Sequence, residues 1–534
     1  MRSLRSIERF VSWLIPRAYR TVAFYAPVGV GSPRMTSRGI DADRWRWGPL
    51  AAVCLAQMLL MLDVTIVIVA LPDIAQDLSG DLQSMQLIID IYALMLAALL
   101  LNTGALADRV GRRRVFVAGL LVFGAASALC GLAGSPTSLI VARGIQGVGG
   151  AMLFSTGLAI LGASYSGADR AKALGAFGAV FGAAVALGPL VGGAIVEIAD
   201  WRWIFFVNLP VVALAVFVAR RHVQETRDPA PRPVDWPGQV TFTVGIAALV
   251  VALIQGGEWG WQAASTTALF GLAAAALLAF VVVERRQAEP MFDLDLLRER
   301  SFAGSAAAAF ATSASLFGMF VYLTLWFQRV EGMDGLEAGL RLLPVTIVAF
   351  LAAAGAGRVS GAVPPRLVLT VALGATSAGL LQMTALDPGS SWTIALPGLV
   401  LCGLGFGLAN PTVAAVTLAV APADRAATAT GMNSTFRQVG VASGVAGLGA
   451  IFDHALGDVE TVRALSAGTS PLVSAAVQDA YGLALDRVFL TGSAIAAAGA
   501  LLAFLLVRGG GPTPVRSEPA GPDTPVASLV EGAR

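Results

Sequence analysis

Asp63 is a carboxylate in the middle of a run of Leu, Met, Val and Ile. A charged Asp at the centre of a bilayer costs about 2.5–3.5 kcal/mol on insertion scales. Such a residue either faces a water-filled cavity or takes up a proton. Asp90 lies in the next apolar run, nearer its outer end. Arg143, about two turns into the fourth run, supplies a cation. Desolvation disfavours a carboxylate, and a neighbouring cation favours it. An Asp moved between those environments would bind H⁺ in one conformation and release it in another. Asp63, Asp90 and Arg143 are therefore candidate proton-coupling residues. Each has a plainer reading too: a structural hydrogen bond to Thr65 or backbone for Asp63, a shallow wet position for Asp90, a fixed ion pair for Arg143.

The elements that must position these groups are long apolar helices. The chain is 56% hydrophobic and 13% charged, about half the roughly 25% charge of soluble domains. Lipid must therefore solvate much of its surface. A hydrocarbon core of about 30 Å needs roughly 20 apolar residues per helix. Fourteen runs qualify: 49–71, 85–106, 114–133, 138–162, 171–196, 202–220, 237–256, 264–283, 302–327, 338–357, 366–386, 392–419, 431–454 and 487–507. Gly134-Ser135-Pro136 separates the third from the fourth, since Gly and Pro break helices. The expected fold class is an all-α polytopic membrane protein.

Loop charge gives the orientation, because Arg and Lys collect on the cytoplasmic side. Arg109, Arg112, Arg113 and Arg114 follow the second run, and Arg170 and Lys172 the fourth. Arg220, Arg221, Arg227 and Arg232 follow the sixth, and Arg285, Arg286, Arg298 and Arg300 the eighth. Arg358, Arg366 and Arg425 continue the alternation, while the first outer loop holds Asp73, Asp77 and Asp81. An even number of spans with both termini cytoplasmic, in a cell inner membrane, fits this pattern. Trp45, Trp47, Trp201, Trp203, Trp236, Trp259, Trp261, Trp326 and Trp392 stand near run ends, where the headgroup boundary favours them. Residues 1–48 read as a disordered tail or a helix lying on lipid, and 508–534 as a disordered tail.

Several function classes drop out. The net charge of +2 suggests no nucleic-acid partner. Cys54, Cys130 and Cys402 sit far apart in apolar runs, and the histidines are His222 and His454 alone; neither a disulfide framework nor a metal centre is expected. Lys172, the one lysine, stands between Ala171 and Ala173, so no GxxxxGK[ST] phosphate loop exists. Energy must come from an ion gradient or a separate subunit. No cofactor is expected, and no enzymatic constellation is visible.

Four further motifs carry mechanical meaning. Gly104, Asp108, Arg109, Gly111, Arg112 and Arg113 lie in the loop between the second and third runs. The glycines permit close approach and a turn. Asp108 could accept charge-assisted bonds from a helix N-terminus or an arginine and so latch two bundles. Gly188, Pro189, Gly192 and Gly193 make the fifth helix pliant and closely packed. Arg437 and Gln438 enter the thirteenth run and either line a cavity or cap the inner gate. Gly403, Gly405 and Gly407 have no strand before them and read as packing.

With these residues the chain resembles the major facilitator superfamily, whose signature loop reads much like 104–114. Leu62-Asp63-Val64-Thr65 with Ala70-Leu71-Pro72 resembles the first-span motif of the fourteen-helix drug:proton antiporter branch. That branch usually has Asn where Ile68 stands, which removes one polar lining group. Arg143-Gly144-Ile145-Gln146-Gly147 resembles the fourth-span motif linked to proton transfer. Gly188-Pro189-Leu190-Val191-Gly192-Gly193 resembles the antiporter motif of the fifth span. Trp201-Arg202-Trp203 through Asn208-Leu209-Pro210 fits the same branch. In the second half the loop decays to Gly357-Arg358-Val359-Ser360-Gly361.

The resemblance implies a facilitator fold of fourteen transmembrane helices. Residues 49–220 and 302–507 would form two six-helix halves, with two inserted helices and linkers at 221–301. It further implies alternating-access export of small hydrophobic drug-like substrates against protons, with Gln146, Asn208, Arg437 and Gln438 as cavity-lining candidates; the oligomeric state, a monomer being one option, is left open by the sequence. The rivals are a narrow exporter of one metabolite and a non-transporting membrane sensor.

Overall fold

The structure, a computed structural model, describes residues 46–228, 234–287, 289–422, 425–456 and 475–508. The expectations for the tails at 1–48 and 508–534 fall almost wholly outside the described residues.

The helices follow the apolar runs and overshoot them, because a helix need not stop where the bilayer does. The first group is α1 (Gly48–Leu78), α2 (Leu82–Val110), α3 (Arg112–Gly131), α4 (Pro136–Ser164), α5 (Gly167–Ile198), the short α6 (Trp203–Phe206) and α7 (Asn208–His222). Next come α8 (Trp236–Trp259), α9 (Ala264–Arg286) and the short α10 (Leu294–Arg298). The last group is α11 (Arg300–Arg329), α12 (Gly335–Ala362), α13 (Pro365–Met383), α14 (Leu396–Val420), α15 (Ala426–Leu456) and α16 (Ala475–Leu506).

Local chemistry sets the boundaries. Asp81 caps α2, accepting from the Ser84 amide at 2.8 Å. Ser135 and Ser138 form a capping box at the start of α4, with Pro136 in its first turn, where a missing N–H costs nothing. The run at 202–220 is divided at Val207, between α6 and α7. Pro210 cannot donate to the turn before it. Asp73 and Asp77, expected in the first outer loop, belong to the last turns of α1. The Gly357–Gly361 segment lies within α12 and not in a loop.

Among the described residues, thirteen helices are long and apolar enough to cross a membrane, counting Trp203–His222 as one. The expected span at 171–196 lies in α5, a 32-residue helix outside that count. The chain is an all-helical, multi-pass membrane protein.

One packing scheme occurs twice. In the first set, α1 packs on α4, α5 and α7, α4 on α2 and α3, and α3 on α7. In the second, α11 packs on α14, α15 and α16, α14 on α12 and α13, and α13 on α16. The sets meet where α5 lies on α12 and α2 on α15. Of the two intervening helices, α8 packs against both α2 and α15, and α9 leans on α8. The pair is thus seated on both sets and not simply appended.

Candidate functional site

Asp63 is 2% exposed and Arg143 1%, so neither is wetted. They form a close ion pair between Asp63 Oδ2 on α1 and Arg143 Nη1 on α4. The other carboxylate oxygen accepts two amide donors, Gln146 Nε2 at 2.7 Å and Asn208 Nδ2 at 3.2 Å. Arg143 makes two further bonds beside this pair. Its Nη1 also reaches Gln146 Oε1 at 2.7 Å, and its Nε reaches the Ile88 carbonyl of α2 at 3.1 Å. Its guanidinium lies 4.4 Å from the Tyr92 ring centroid, a cation–π contact strengthened by the dry setting. Ser127 of α3 accepts from both amides, at 2.9 Å from Gln146 and 3.3 Å from Asn208.

Helical spacing explains why these groups converge. Arg143 and Gln146 are three apart and so share a face of α4. Asn208 opens α7, so the break at Val207 delivers its side chain to the cluster. The geometry pairs a carboxylate and a guanidinium with three neutral relays on four helices of the first set, α1, α3, α4 and α7. A proton arriving on Asp63 would cancel half of the ion pair and leave the amides to re-sort their bonds. Such a cluster can register protonation as a change in helix packing.

Not every candidate joins it. Gln146 and Asn208, expected to line a cavity, are locked in this buried cluster. Thr65 bonds back to the Met61 and Leu62 carbonyls at 2.9 and 3.2 Å, not to Asp63. Asp90 lies elsewhere, fully buried rather than shallow and wet, and neither carboxylate oxygen has a hydrogen-bond partner. It sits one turn from Gln86, whose amide donates to Tyr322 of α11 at 3.1 Å. Tyr322 in turn donates to the Val445 carbonyl of α15 at 3.3 Å. Asp90 therefore belongs to the seam between the sets. Arg437 of α15 also reaches across that seam, with its guanidinium 5.3 Å from the Phe154 ring of α4. Gln438 is buried beside it in sequence.

The segment 104–114, expected as a loop, is helical except at Gly111, where α2 ends and α3 begins, and Asp108 takes an arginine as expected. Its carboxylate takes Arg112 at 2.9 Å, one turn on, and so ties α2 to α3 within one set. The side-chain partner from the segment after α7 is Glu225, which the sequence did not single out, and the backbone of Val223, Thr226 and Asp228 bonds to the same stretch. Glu225 accepts the Arg113 amide at 3.0 Å and lies 3.7 Å from Arg114 Nε. Gly111, at φ +125° and against Glu225, has no room for a side chain. Gly104 does, since its nearest neighbour would be Ser155 Cβ at 3.8 Å. Arg109 is exposed.

In α5, Gly188 faces Thr65 and Gly192 faces Ile66 of α1, while Gly193 meets Gly335 and Leu336 of α12. The Pro189 carbonyl lies against Gly339 of α12. This helix touches the Asp63 helix on one side and the second set on the other. A cavity of about 390 Å³ lies elsewhere, among Leu253, Trp261, Ser443, His454 and Thr491, and none of the expected site residues lines it.

Comparison with known proteins bears on this arrangement. Residues 53–445 match the Major Facilitator Superfamily. The chain belongs to that superfamily. This facilitator is 32% identical over 413 residues to the multidrug transporter protein MdtP of Bacillus subtilis, covering 77% of this chain and 76% of that one. It is 36% identical over 415 residues to the puromycin resistance protein pur8 of Streptomyces alboniger, covering 77% and 82%. The facilitator's fold also matches a solved bacterial homologue of the human lysosomal transporter Spinster, at a TM-score of 0.61 and 18% identity, over 88% of this chain and 98% of that one.

Proposed function

We propose that this facilitator exports hydrophobic drugs or an antibiotic across the cytoplasmic membrane in exchange for protons. It belongs, on this reading, to the fourteen-helix branch, with both termini cytoplasmic and α8 and α9 as the inserted pair. The single observation that carries the proposal is the buried Asp63–Arg143 ion pair with its amide relays. A dry carboxylate with an ionic partner is a costly arrangement unless its charge state is used. The names of relatives, a multidrug transporter and an antibiotic-resistance protein, supply the cargo class. Asp90, Arg437 and Gln438 at the seam are the proposed means of passing the change to the second set. The loop at 104–114 and the α5 glycines are the proposed joints.

The energetics suffice. Each charge crossing about 100 mV yields about 2.3 kcal/mol, which concentrates a neutral drug roughly fiftyfold per proton. The test is reconstitution into liposomes with an imposed pH gradient, following a fluorescent drug. Asp63→Asn is expected to abolish gradient-driven accumulation while retaining drug binding. Equal accumulation by both proteins would remove Asp63 from coupling. The puromycin-specific name of one relative favours a second reading, export of a single compound. Competition by only one member of a chemically broad panel would select it.

A further inference from the structure

A second pair of buried acids lies away from the Asp63 cluster. Asp235 caps α8 and is 5% exposed; Glu284, in the last turn of α9, is 3% exposed. Asp235 Oδ1 accepts the Gly238 amide at 2.9 Å and Gln287 Nε2 at 3.3 Å, and its Oδ2 accepts the Met291 amide at 3.4 Å. Glu284 Oε2 accepts the Phe292 amide at 3.0 Å. Three of the four carboxylate oxygens are thus satisfied. The fourth, Glu284 Oε1, is buried with no donor. It stands over Gly238 beside Asp235 Oδ2, since a methyl on Gly238 would touch both oxygens.

Among the described residues no cation is paired with either acid. Arg285, Arg286 and Glu289 are exposed, Asp293 pairs with Arg425, and Arg298 pairs with Asp295. Arg300, the first residue of α11, is exposed. From α2 the pair meets Asn102, and from α15 the nearby group is Phe436, with Arg437 engaged on Phe154.

Two adjacent carboxylates in a dry site cannot both be ionised, and they settle by sharing a proton. We propose that Asp235 and Glu284 form a proton-binding site, distinct from Asp63, whose single shared proton fastens a strap between the two helix sets. The proton sits on Glu284 Oε1 and is donated to Asp235 Oδ2, filling the one missing donor position. The strap is continuous on both sides of that bond. Toward the first set, the Asp235 carbonyl accepts Asn102 Nδ2 of α2 at 3.1 Å, and Gln239 Nε2 reaches the Ala98 carbonyl at 2.7 Å. Toward the second set, the Phe292 ring meets Phe436 of α15 at 5.6 Å, and Asp293 Oδ2 takes Arg425 Nη1 at 2.6 Å. Loss of the proton puts two like charges side by side and loosens residues 289–293 from Asp235. The strap lies at the end of the bundle that holds the 104–114 loop, so the pH on that face sets how firmly the sets are joined there.

Hydrogen exchange on the full chain in lipid nanodiscs tests this without any transport assay, so its outcome is independent of the Asp63 reading. After correction for intrinsic base catalysis, protection of the Met291 and Phe292 amides is expected to fall as pH rises between about pH 6 and about pH 9, approaching tenfold per pH unit for one proton. The segment 223–227, bound to the 108–114 loop, is the control and should not change. Glu284→Gln places an amide donor where the acid proton was and should hold the strap at every pH. Asp235→Asn removes one of the two charges and should also flatten the pH response; its Nδ2 cannot accept the Met291 amide, so if Glu284→Gln fails to fold the response is read at Phe292. Flat protection in the unmodified chain overturns the proposal, as does a wild-type pH response in either variant.

Discussion

At Asp63 the energetic argument turns on asymmetry. A buried ion pair contributes little net stability, but removing one member strands the other and costs about 3–5 kcal/mol. Arg143→Gln or Asp63→Asn alone is therefore expected to destabilise the protein by about that amount, and the two combined by much less. Thermal unfolding of the four proteins in one detergent gives the cycle; additive losses would mean the pair is not a unit. Ser127 makes a quieter prediction. Its hydroxyl accepts from both Gln146 and Asn208, so Ser127→Ala leaves two buried amides short of an acceptor, at about 1–3 kcal/mol. Nothing in the sequence marks Ser127, a small polar residue in an apolar helix, whereas Asp63 and Arg143 are conspicuous because charge in such a run is costly.

Among the helices, α5 has the most constrained surface. Gly193 meets the backbone of Gly335 and Leu336, and Gly192 that of Ile66, so α5 is held against α1 and α12 together. Gly193→Val should force α5 and α12 apart and sharply reduce transport, read in the liposome assay. The glycines of the 104–114 loop are predicted to differ. Gly111 occupies a backbone region that other residues enter at about 1–3 kcal/mol, and a Cβ there would meet the Glu225 carboxylate. Gly111→Ala should lower stability accordingly, while Gly104→Ala should fall within about 0.5 kcal/mol of the parent. Equal effects of the two would contradict the geometry. Trp201 and Arg202 have a positional role at the far end of α1. Trp201 Nε1 donates to Asp77 at 3.2 Å, and Arg202 pairs with Asp77 at 2.8 Å, which fixes where α6 begins.

Across the whole bundle, the two sets are tied at the end opposite the 104–114 loop. Gln328 Nε2 donates to the Val69 carbonyl at 3.1 Å and Arg329 Nη2 to the Pro72 carbonyl at 3.3 Å, both from α11 to α1. Asp90, Gln86 and Tyr322 lie deeper in the same seam. Gln328→Ala with Arg329→Ala should loosen this closure. A cysteine placed at Val69, with Cys54, Cys130 and Cys402 replaced, is expected to react faster with a polar maleimide in that background. Unchanged labelling would mean these bonds do not hold the end shut.

Membrane embedding, the positions of the long helices and the presence of costly charges inside them were legible from the chain. Those properties are local: run length, loop charge and a lone Asp act within a few residues of themselves. The helix limits were less legible, as at α16, which begins at Ala475 and takes in Asp479 and Asp486 before its apolar stretch. Partnership between helices was not legible. In lipid a helix is apolar on every side, so no polar stripe announces which face turns inward. That Asp108 bonds within its own loop, that Glu225 backs that loop, that Asp90 joins the seam and not Asp63, and that Asp235 meets Glu284 all depend on how helices are rotated and stacked, which packing alone sets.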